Sequence, residues 1–164
     1  MSDFVPTMRI GMGFDSHRLG NGGPLRIGGL DLDAEVHAIG HSDADVLLHA
    51  ITDALLGAIA ESDIGRLFPN DSAENLDRDS LDFVAEAFRR VRKHHLSVVN
   101  IDCVILAEQP KMAPHIDAMR ENISQMIDTP IERISVKAKT GEGVGPIGNA
   151  EAISARVVLL LDRF

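Results

Sequence analysis

The spacing of apolar residues predicts three helices. In residues 42–59, Val, Leu, Ala and Ile recur at intervals of three and four, which places them on one helical face. Ser42 suits the N-terminal cap of this helix, because its hydroxyl can accept a hydrogen bond from a free backbone N–H. The same spacing recurs in residues 80–94 and 114–127, where Pro114 is tolerated in the first helical turn.

Runs of apolar and β-branched residues predict the strands. They cover residues 7–14, 25–32, 97–107, 134–138 and 152–161, with glycines inside the first two. The last run fits a helix or a strand, and we favour a strand because residues 157–161 are continuously apolar and partly β-branched. Residues 63–75 are typical of a loop, and residues 141–148 form a glycine-rich stretch.

The order of these elements indicates an α/β protein of the α+β sandwich type. We expect one mixed β-sheet covered on one face by helices. The chain has 164 residues, a length that fits a single domain over residues 1–164. We expect residues 1–6 to form a flexible N-terminus.

Composition narrows the classes of function. The net charge of −9 argues against a general nucleic-acid binder, which needs a broad basic surface. No apolar run approaches the length of a membrane span. Cys103 is the one cysteine, so no internal disulfide can form, and we expect a cytoplasmic protein.

Candidate metal ligands lie in two segments. If the first strand stays extended, Asp15 and His17 point to the same side and offer an oxygen and a nitrogen together. On the first helix, Asp45, His49 and Asp53 share one face because they are four residues apart. Asp15, His17 and His49 would make a three-ligand site with an open fourth position, as in catalytic zinc sites, with Asp45 or Asp53 orienting His49. The same residues could equally be solvated polar groups around a helix start.

Several long motifs occur in an order that resembles one family, the 2-C-methyl-D-erythritol 2,4-cyclodiphosphate synthases. The resemblance runs from about residue 8 to the C-terminus. It is carried by residues 11–17 (GMGFDSH), 41–57 (HSDADVLLHAITDALLG), 63–69 (DIGRLFP), 110–115 (PKMAPH) and 136–142 (VKAKTGE).

The resemblance implies a reaction and an assembly. The substrate would be the cytidine diphosphate compound 4-diphosphocytidyl-2-C-methyl-D-erythritol 2-phosphate, converted to a cyclic diphosphate with release of CMP in the non-mevalonate isoprenoid pathway. The site would hold Zn²⁺ on Asp15, His17 and His49. A second divalent ion, Mg²⁺ or Mn²⁺, would lie near Glu142. Members of the family are homotrimers with active sites between subunits.

The resemblance also implies the roles of individual residues. His41 and Thr140 would stabilise the transition state by hydrogen bonding, and Ser42 would help to hold phosphate at the helix N-terminus. The substrate-binding set would comprise Asp15, His17, His41, Ser42, Asp63, Gly65, Phe68, Asn70, Ser72, Ala107, Pro110, Lys111, Met112, Ala113, Lys139, Thr140, Glu142, Pro146 and Asn149.

The C-terminal part departs from the family pattern at three positions. Members usually have Thr at the position of Lys139, Phe at Pro146 and Arg at Asn149. We hypothesise that Lys139 partly replaces the charge of the missing Arg. Two alternative functions remain open: a non-catalytic trimeric binding paralogue, and another zinc-dependent phosphohydrolase with Glu142 or Asp63 as its base.

Overall fold

A computed structural model describes residues 7–69, residue 72 and residues 78–164. The expected flexible N-terminus, residues 1–6, lies outside the described residues. The strands are β1 (Arg9–Asn21), β2 (Leu25–Ile27), β3 (Leu30–Leu32), β4 (Val36–Ile39), β5 (Leu96–Leu106), β6 (Ile134–Lys139) and β7 (Ala152–Arg163). The helices are α1 (Val46–Ala58), α2 (Ile64–Leu67), α3 (Ser80–Lys93), α4 (Ile116–Met126) and α5 (Gly145–Gly148). Within the described part, no helix is long and apolar enough to cross a membrane.

The main sheet has the strand order β4-β1-β7-β5-β6. β5 and β6 run parallel, whereas β1 pairs antiparallel with β4 and β7, and β5 pairs antiparallel with β7. The prediction of a mixed sheet is therefore confirmed. β2 and β3 form a separate two-stranded hairpin, because Gly28 and Gly29 turn the chain with positive φ values of 60° and 74°.

Helices α1, α3 and α4 cover one face of the main sheet, as the sequence predicts. Alternate side chains of β7, such as Val157 and Leu159, point into the core against α1 residues such as Ile51. On the opposite face, Ile10 and Met12 of β1 are each 71% exposed. The sheet thus has one buried face and one open apolar face.

Two glycines let α1 approach β1 closely. A Cβ atom built on Gly11 would lie 1.9 Å from the carbonyl oxygen of Ala54, and one on Gly13 would lie 1.8 Å from that of Ala50. Any side chain at either position would collide with the helix backbone. The glycines that weaken this strand in the sequence are therefore required for the contact between helix and sheet.

The first helix begins later than the sequence predicts. Its N-cap is Asp45 and not Ser42, and the Asp45 carboxylate accepts hydrogen bonds from the N–H groups of Leu47 and Leu48. The same carboxylate accepts bonds from Gly28 N at 2.9 Å and Gly29 N at 2.7 Å. Asp45 is fully buried. Its contact with the β2–β3 turn makes it the N-cap of α1, and no local sequence pattern predicts this contact.

Other elements differ in detail from the prediction. β1 continues seven residues beyond residue 14 because its pairing with β7 and β4 extends to Asn21. The one-turn helix α2 lies in residues 63–75, where the sequence predicts a loop, and α5 lies at the end of the glycine-rich stretch 141–148. The sequence predicts no element at the short strand β4. The predicted helix over residues 114–127 is split into a 3₁₀ turn at Ala113–His115 and α4.

Candidate metal centre

Strand β1 carries two of the predicted metal ligands. Asp15 and His17 pair with Ala155 and Ile153 of β7, so both lie within the regular part of the sheet. Residues two apart on a strand face the same side. Asp15 and His17 accordingly follow Gly11 and Gly13 on the face that α1 covers.

Helix α1 carries the third ligand, His49, in its first turn. The helix backbone lies against β1 at Gly13, which brings the His49 ring to the two β1 side chains. The ring of His49 also packs against that of Phe83 on α3, with centroids 5.8 Å apart. Three separate elements therefore fix the position of this imidazole.

The three predicted ligand atoms converge. Asp15 Oδ2 lies 2.9 Å from His49 Nδ1 and 3.0 Å from His17 Nε2. The two ring nitrogens are 3.1 Å apart. One carboxylate oxygen and two imidazole nitrogens are a donor set that Zn²⁺ accepts, and a tetrahedral zinc ion separates its donors by about 3.3 Å. The residues therefore fit a divalent metal, with only a small outward movement of each atom.

Each ligand is also held at its far end. His17 Nδ1 lies 3.1 Å from the carbonyl oxygen of Ile39, and His49 Nε2 lies 3.1 Å from Ser42 Oγ. Asp15 Oδ1 accepts a hydrogen bond from the N–H of Ser16 at 2.8 Å. Such outer contacts orient metal ligands in proteins.

The expected orienting partner of His49 needs correction. Asp45 is wrong for this role, because its carboxylate is fully used by backbone N–H groups of the helix start and the β2–β3 turn. Asp53 accepts the N–H of Ile64 at 2.7 Å and so fixes the start of α2. The hydroxyl of Ser42 contacts His49 instead.

The ionisation of the cluster favours a cation. Burial alone would raise the pKa of Asp15, but hydrogen bonds from His17 and His49 outweigh it and hold that pKa well below its usual range. Burial would lower the pKa of His17, but the hydrogen bond and charge of Asp15, the carbonyl of Ile39 and the charge of Asp45 together outweigh burial and raise that pKa. The cluster therefore has a carboxylate that stays ionised, and its negative charge favours a cation beside it, either a proton on His17 or a metal ion.

A cavity of about 310 Å³ opens beside these ligands. Seven of the predicted site residues line it: Asp15, His17, His41, Ser42, His49, Gly65 and Phe68. Three further residues that the sequence did not predict also line it: Gly40, Ile64 and Phe83. Phe83 carries only a helical core pattern in the sequence, so its place at the site had no local signal.

The remaining predicted residues near this cavity have other surroundings. Asp63 caps α2, and its Oδ1 accepts the N–H of Arg66 at 2.9 Å. The backbone oxygen of Ser72 lies 3.5 Å from His41 Nε2. Asn70 lies outside the described residues. The expectation that Ser42 holds phosphate at the helix N-terminus is wrong, because Ser42 lies three residues before the N-cap and the side chain of Asp45 accepts the N–H groups of Leu47 and Leu48.

The other predicted substrate-binding residues form a second group outside the lining of the cavity. They lie in two segments, one after β5 and one running from the end of β6 through α5, and comprise Ala107, Pro110, Lys111, Met112, Ala113, Lys139, Thr140, Glu142, Pro146 and Asn149. The two segments are joined, because Ala107 N donates to Lys139 O at 3.0 Å and Gly141 N donates to the Glu108 carboxylate at 3.0 Å. Met112 and Ala107 are buried, whereas Lys139, Thr140 and Glu142 are exposed.

Comparison with known proteins decides the family. The sequence model of the YgbB family matches residues 8–162. The chain belongs to the YgbB family. It is 64% identical over 155 residues to the 2-C-methyl-D-erythritol 2,4-cyclodiphosphate synthase of Rhodopirellula baltica, covering 94% of this chain and 93% of that protein. It is 46% identical to the enzyme of the same name from Bacillus velezensis, covering 94% and 98% of the two chains.

Solved structures show the same fold. A 2C-methyl-D-erythritol-2,4-cyclodiphosphate synthase in its CDP-bound form is 39% identical with a TM-score of 0.87, covering 94% of this chain and 100% of that chain. The CDP complex of IspF from Plasmodium falciparum is 33% identical with a TM-score of 0.85, covering 95% and 96%. The resemblance to cyclodiphosphate synthases that the sequence motifs indicate is thus confirmed.

Proposed function

We propose that this YgbB family member converts 4-diphosphocytidyl-2-C-methyl-D-erythritol 2-phosphate into 2-C-methyl-D-erythritol 2,4-cyclodiphosphate and CMP. An oxygen of the 2-phosphate attacks the β-phosphorus, and the bond from that phosphorus to the oxygen of the cytidine monophosphate breaks. The observation that carries this proposal is the convergence of Asp15, His17 and His49 at a cavity in a chain of this family.

The main difficulty of this reaction is electrostatic. Both reacting groups are anionic phosphates, so catalysis requires charge neutralisation and in-line positioning more than proton transfer. We propose that Asp15, His17 and His49 hold Zn²⁺, which when bound would polarise the β-phosphate as a Lewis acid. A second divalent ion, Mg²⁺ or Mn²⁺, would be held near the exposed carboxylate of Glu142.

The residues around the cavity would position the substrate. His41 and Ser42 line the cavity beside the metal ligands, where they would donate hydrogen bonds to phosphate oxygens. Gly65 and Phe68, with Asp63 at the start of α2, would hold the erythritol part. The loops after β5 and β6 would hold the cytidine diphosphate, with Thr140 contacting phosphate.

The separation of the two groups of residues supports a site shared between subunits. None of the described residues 107–113 or 139–149 lines the cavity shared by the three metal ligands, and among them only Pro146 lines a neighbouring cavity with His17. The open face of the sheet offers a large apolar surface, with Ile10 and Met12 each 71% and Phe14 50% exposed. We therefore propose a homotrimer in which this face is buried and loops of one subunit complete the cavity of its neighbour. The cytoplasmic location stays a prediction.

A turnover assay tests the proposed function. Protein stripped of metal by a chelator and then restored with zinc and Mg²⁺ is incubated with the cytidyl substrate, and the products are followed by ³¹P NMR. We expect CMP and the cyclic diphosphate in equal amounts. Release of inorganic phosphate without a cyclic product would identify a phosphohydrolase, and the absence of any turnover would identify a binding paralogue.

Two histidine variants distinguish the loss of a metal ligand from the effect of removing any histidine side chain. His49→Ala removes one ligand and should lower kcat/KM at least 100-fold, by analogy with the loss of a group that stabilises transition-state charge. His115→Ala removes an imidazole from the 3₁₀ turn before α4, to which we assign no chemistry, and should leave turnover unchanged. Equal activity of both variants would contradict a catalytic metal at His49.

A further inference from the structure

We propose that Ser42 is a positioning residue for the metal, in addition to any contact that it makes with substrate. Its hydroxyl would hold the His49 ring in the orientation and the neutral tautomer that leave Nδ1 available to a cation. This inference rests on the proposed metal site, because it concerns the same three ligands.

The contacts of the three ligands single out Ser42. The far atoms of Asp15 and His17 are held by backbone groups, the N–H of Ser16 and the carbonyl of Ile39. The far nitrogen of His49 is held by a side chain, because Nε2 lies 3.1 Å from Ser42 Oγ. Of the three outer contacts, only this one depends on the chemical nature of the contacting side chain.

The geometry identifies the tautomer of His49 that metal binding requires. Nδ1 points at Asp15 Oδ2 and His17 Nε2, so this nitrogen must present its lone pair when the three atoms share a cation. In the neutral imidazole the proton then lies on Nε2, where it needs an acceptor. Ser42 Oγ supplies that acceptor. The hydroxyl keeps its own hydrogen, which it can donate to an anion in the cavity that it lines.

The position of Ser42 is fixed from its C-terminal side. The carboxylate of Asp43 accepts the N–H of Ser80 at 3.0 Å and also the Ser80 hydroxyl, which ties this segment to the start of α3. Two residues further on, Asp45 is buried against the β2–β3 turn. Because this backbone is already constrained, the Ser42 hydroxyl can hold the His49 ring with little further loss of conformational entropy.

Ser42→Ala is the direct test, with zinc affinity measured by competition against a chromophoric chelator. The loss of an outer contact of this kind lowers metal affinity about 10- to 100-fold, and we expect an effect of that size. Ser42→Thr keeps the hydroxyl and should restore affinity to within about threefold. Ser97→Ala is the control, because it removes a half-buried hydroxyl far from the metal ligands. The Ser97 hydroxyl lies beside the carbonyl oxygen of Asp162, which is seven residues along β7 from Ala155, the residue that pairs with Asp15.

A spectroscopic measurement separates positioning from loss of stability. The absorption bands of bound Co²⁺ report the ligand geometry, and Ser42→Ala should change them while Ser42→Thr and Ser97→Ala should not. Zinc affinity of Ser42→Ala within twofold of the parent, with an unchanged Co²⁺ spectrum, would overturn this inference even if CMP release is normal. A parent protein that binds no zinc would overturn the proposed metal site together with it.

Discussion

Replacement of Gly13 by Ala tests whether the close contact of α1 with β1 creates the metal site. The new Cβ would lie 1.8 Å from the carbonyl oxygen of Ala50, whereas a relaxed carbon–oxygen contact is about 3.3 Å. The helix and the strand must therefore separate by about 1.5 Å. Neither partner can yield by rotating a side chain, because the atom that is struck belongs to the helix backbone.

The expected effects of Gly13→Ala are large for so small a substitution. Overpacking of a core contact costs about 1–3 kcal/mol, and we expect the upper end of that range in the free energy of unfolding. Metal sites tolerate ligand displacements of about 0.2 Å, so a separation of about 1.5 Å between β1 and α1 should lower zinc affinity at least 100-fold. Urea denaturation and chelator competition measure the two effects.

Gly57→Ala is the matched control for this prediction. Gly57 lies on the same helix, is exposed, and has no atom closer than 3.8 Å to a built Cβ. Alanine there should raise the free energy of unfolding by about 0.4–1 kcal/mol because it restricts the unfolded chain and favours the helix. A Gly13→Ala protein with the zinc affinity and urea midpoint of the parent would refute the claim that the glycine contact places His49.

Three further predictions concern a buried carboxylate, a buried thiol and the open face of the sheet. Asp45→Ala should lower the free energy of unfolding, measured by urea denaturation, by about 3–5 kcal/mol. The substitution removes a helix cap and leaves buried N–H donors without an acceptor, at a cost of about 1–3 kcal/mol each. A loss below about 1 kcal/mol would contradict this prediction. Burial raises the pKa of the Cys103 thiol to about 12. The folded protein should therefore resist iodoacetamide at pH 8 and react only after unfolding. Rapid labelling of the folded protein would contradict this prediction. Met12→Glu places a charge on the open sheet face and should dissociate the proposed homotrimer, as measured by light scattering. Ala85→Glu on the exposed side of α3 is the control and should leave the trimer intact. An intact trimer in Met12→Glu would locate the interface elsewhere.

The sequence predicts the helices best where one pattern dominates. The apolar stripe of α3 is bounded by polar residues, and the structure reproduces its start at Ser80. The start of α1 was misplaced because Ser42, Asp43 and Asp45 are all good caps. The choice of Asp45 is made by its contact with the turn at Gly28, 17 residues away, and local patterns carry no such information.

The ligand set could be predicted, but its surroundings could not. Strand alternation and the polar stripe of a helix made Asp15, His17 and His49 candidates, and the family resemblance favoured a metal site over solvated polar groups. The contacts of His17 with the carbonyl of Ile39 and of His49 with the hydroxyl of Ser42 join segments by tertiary packing. Strand β4, which provides that carbonyl, has four residues and no strong alternation, so no pattern in the sequence predicts it.

Diffraction at the zinc absorption edge, from crystals grown with zinc and CDP, tests the central claim most directly. We predict one anomalous peak per chain at this cluster, about 2.0–2.2 Å from Asp15 Oδ2, His17 Nε2 and His49 Nδ1. A peak bound by other residues, or no peak at these three atoms under saturating zinc, would contradict the account.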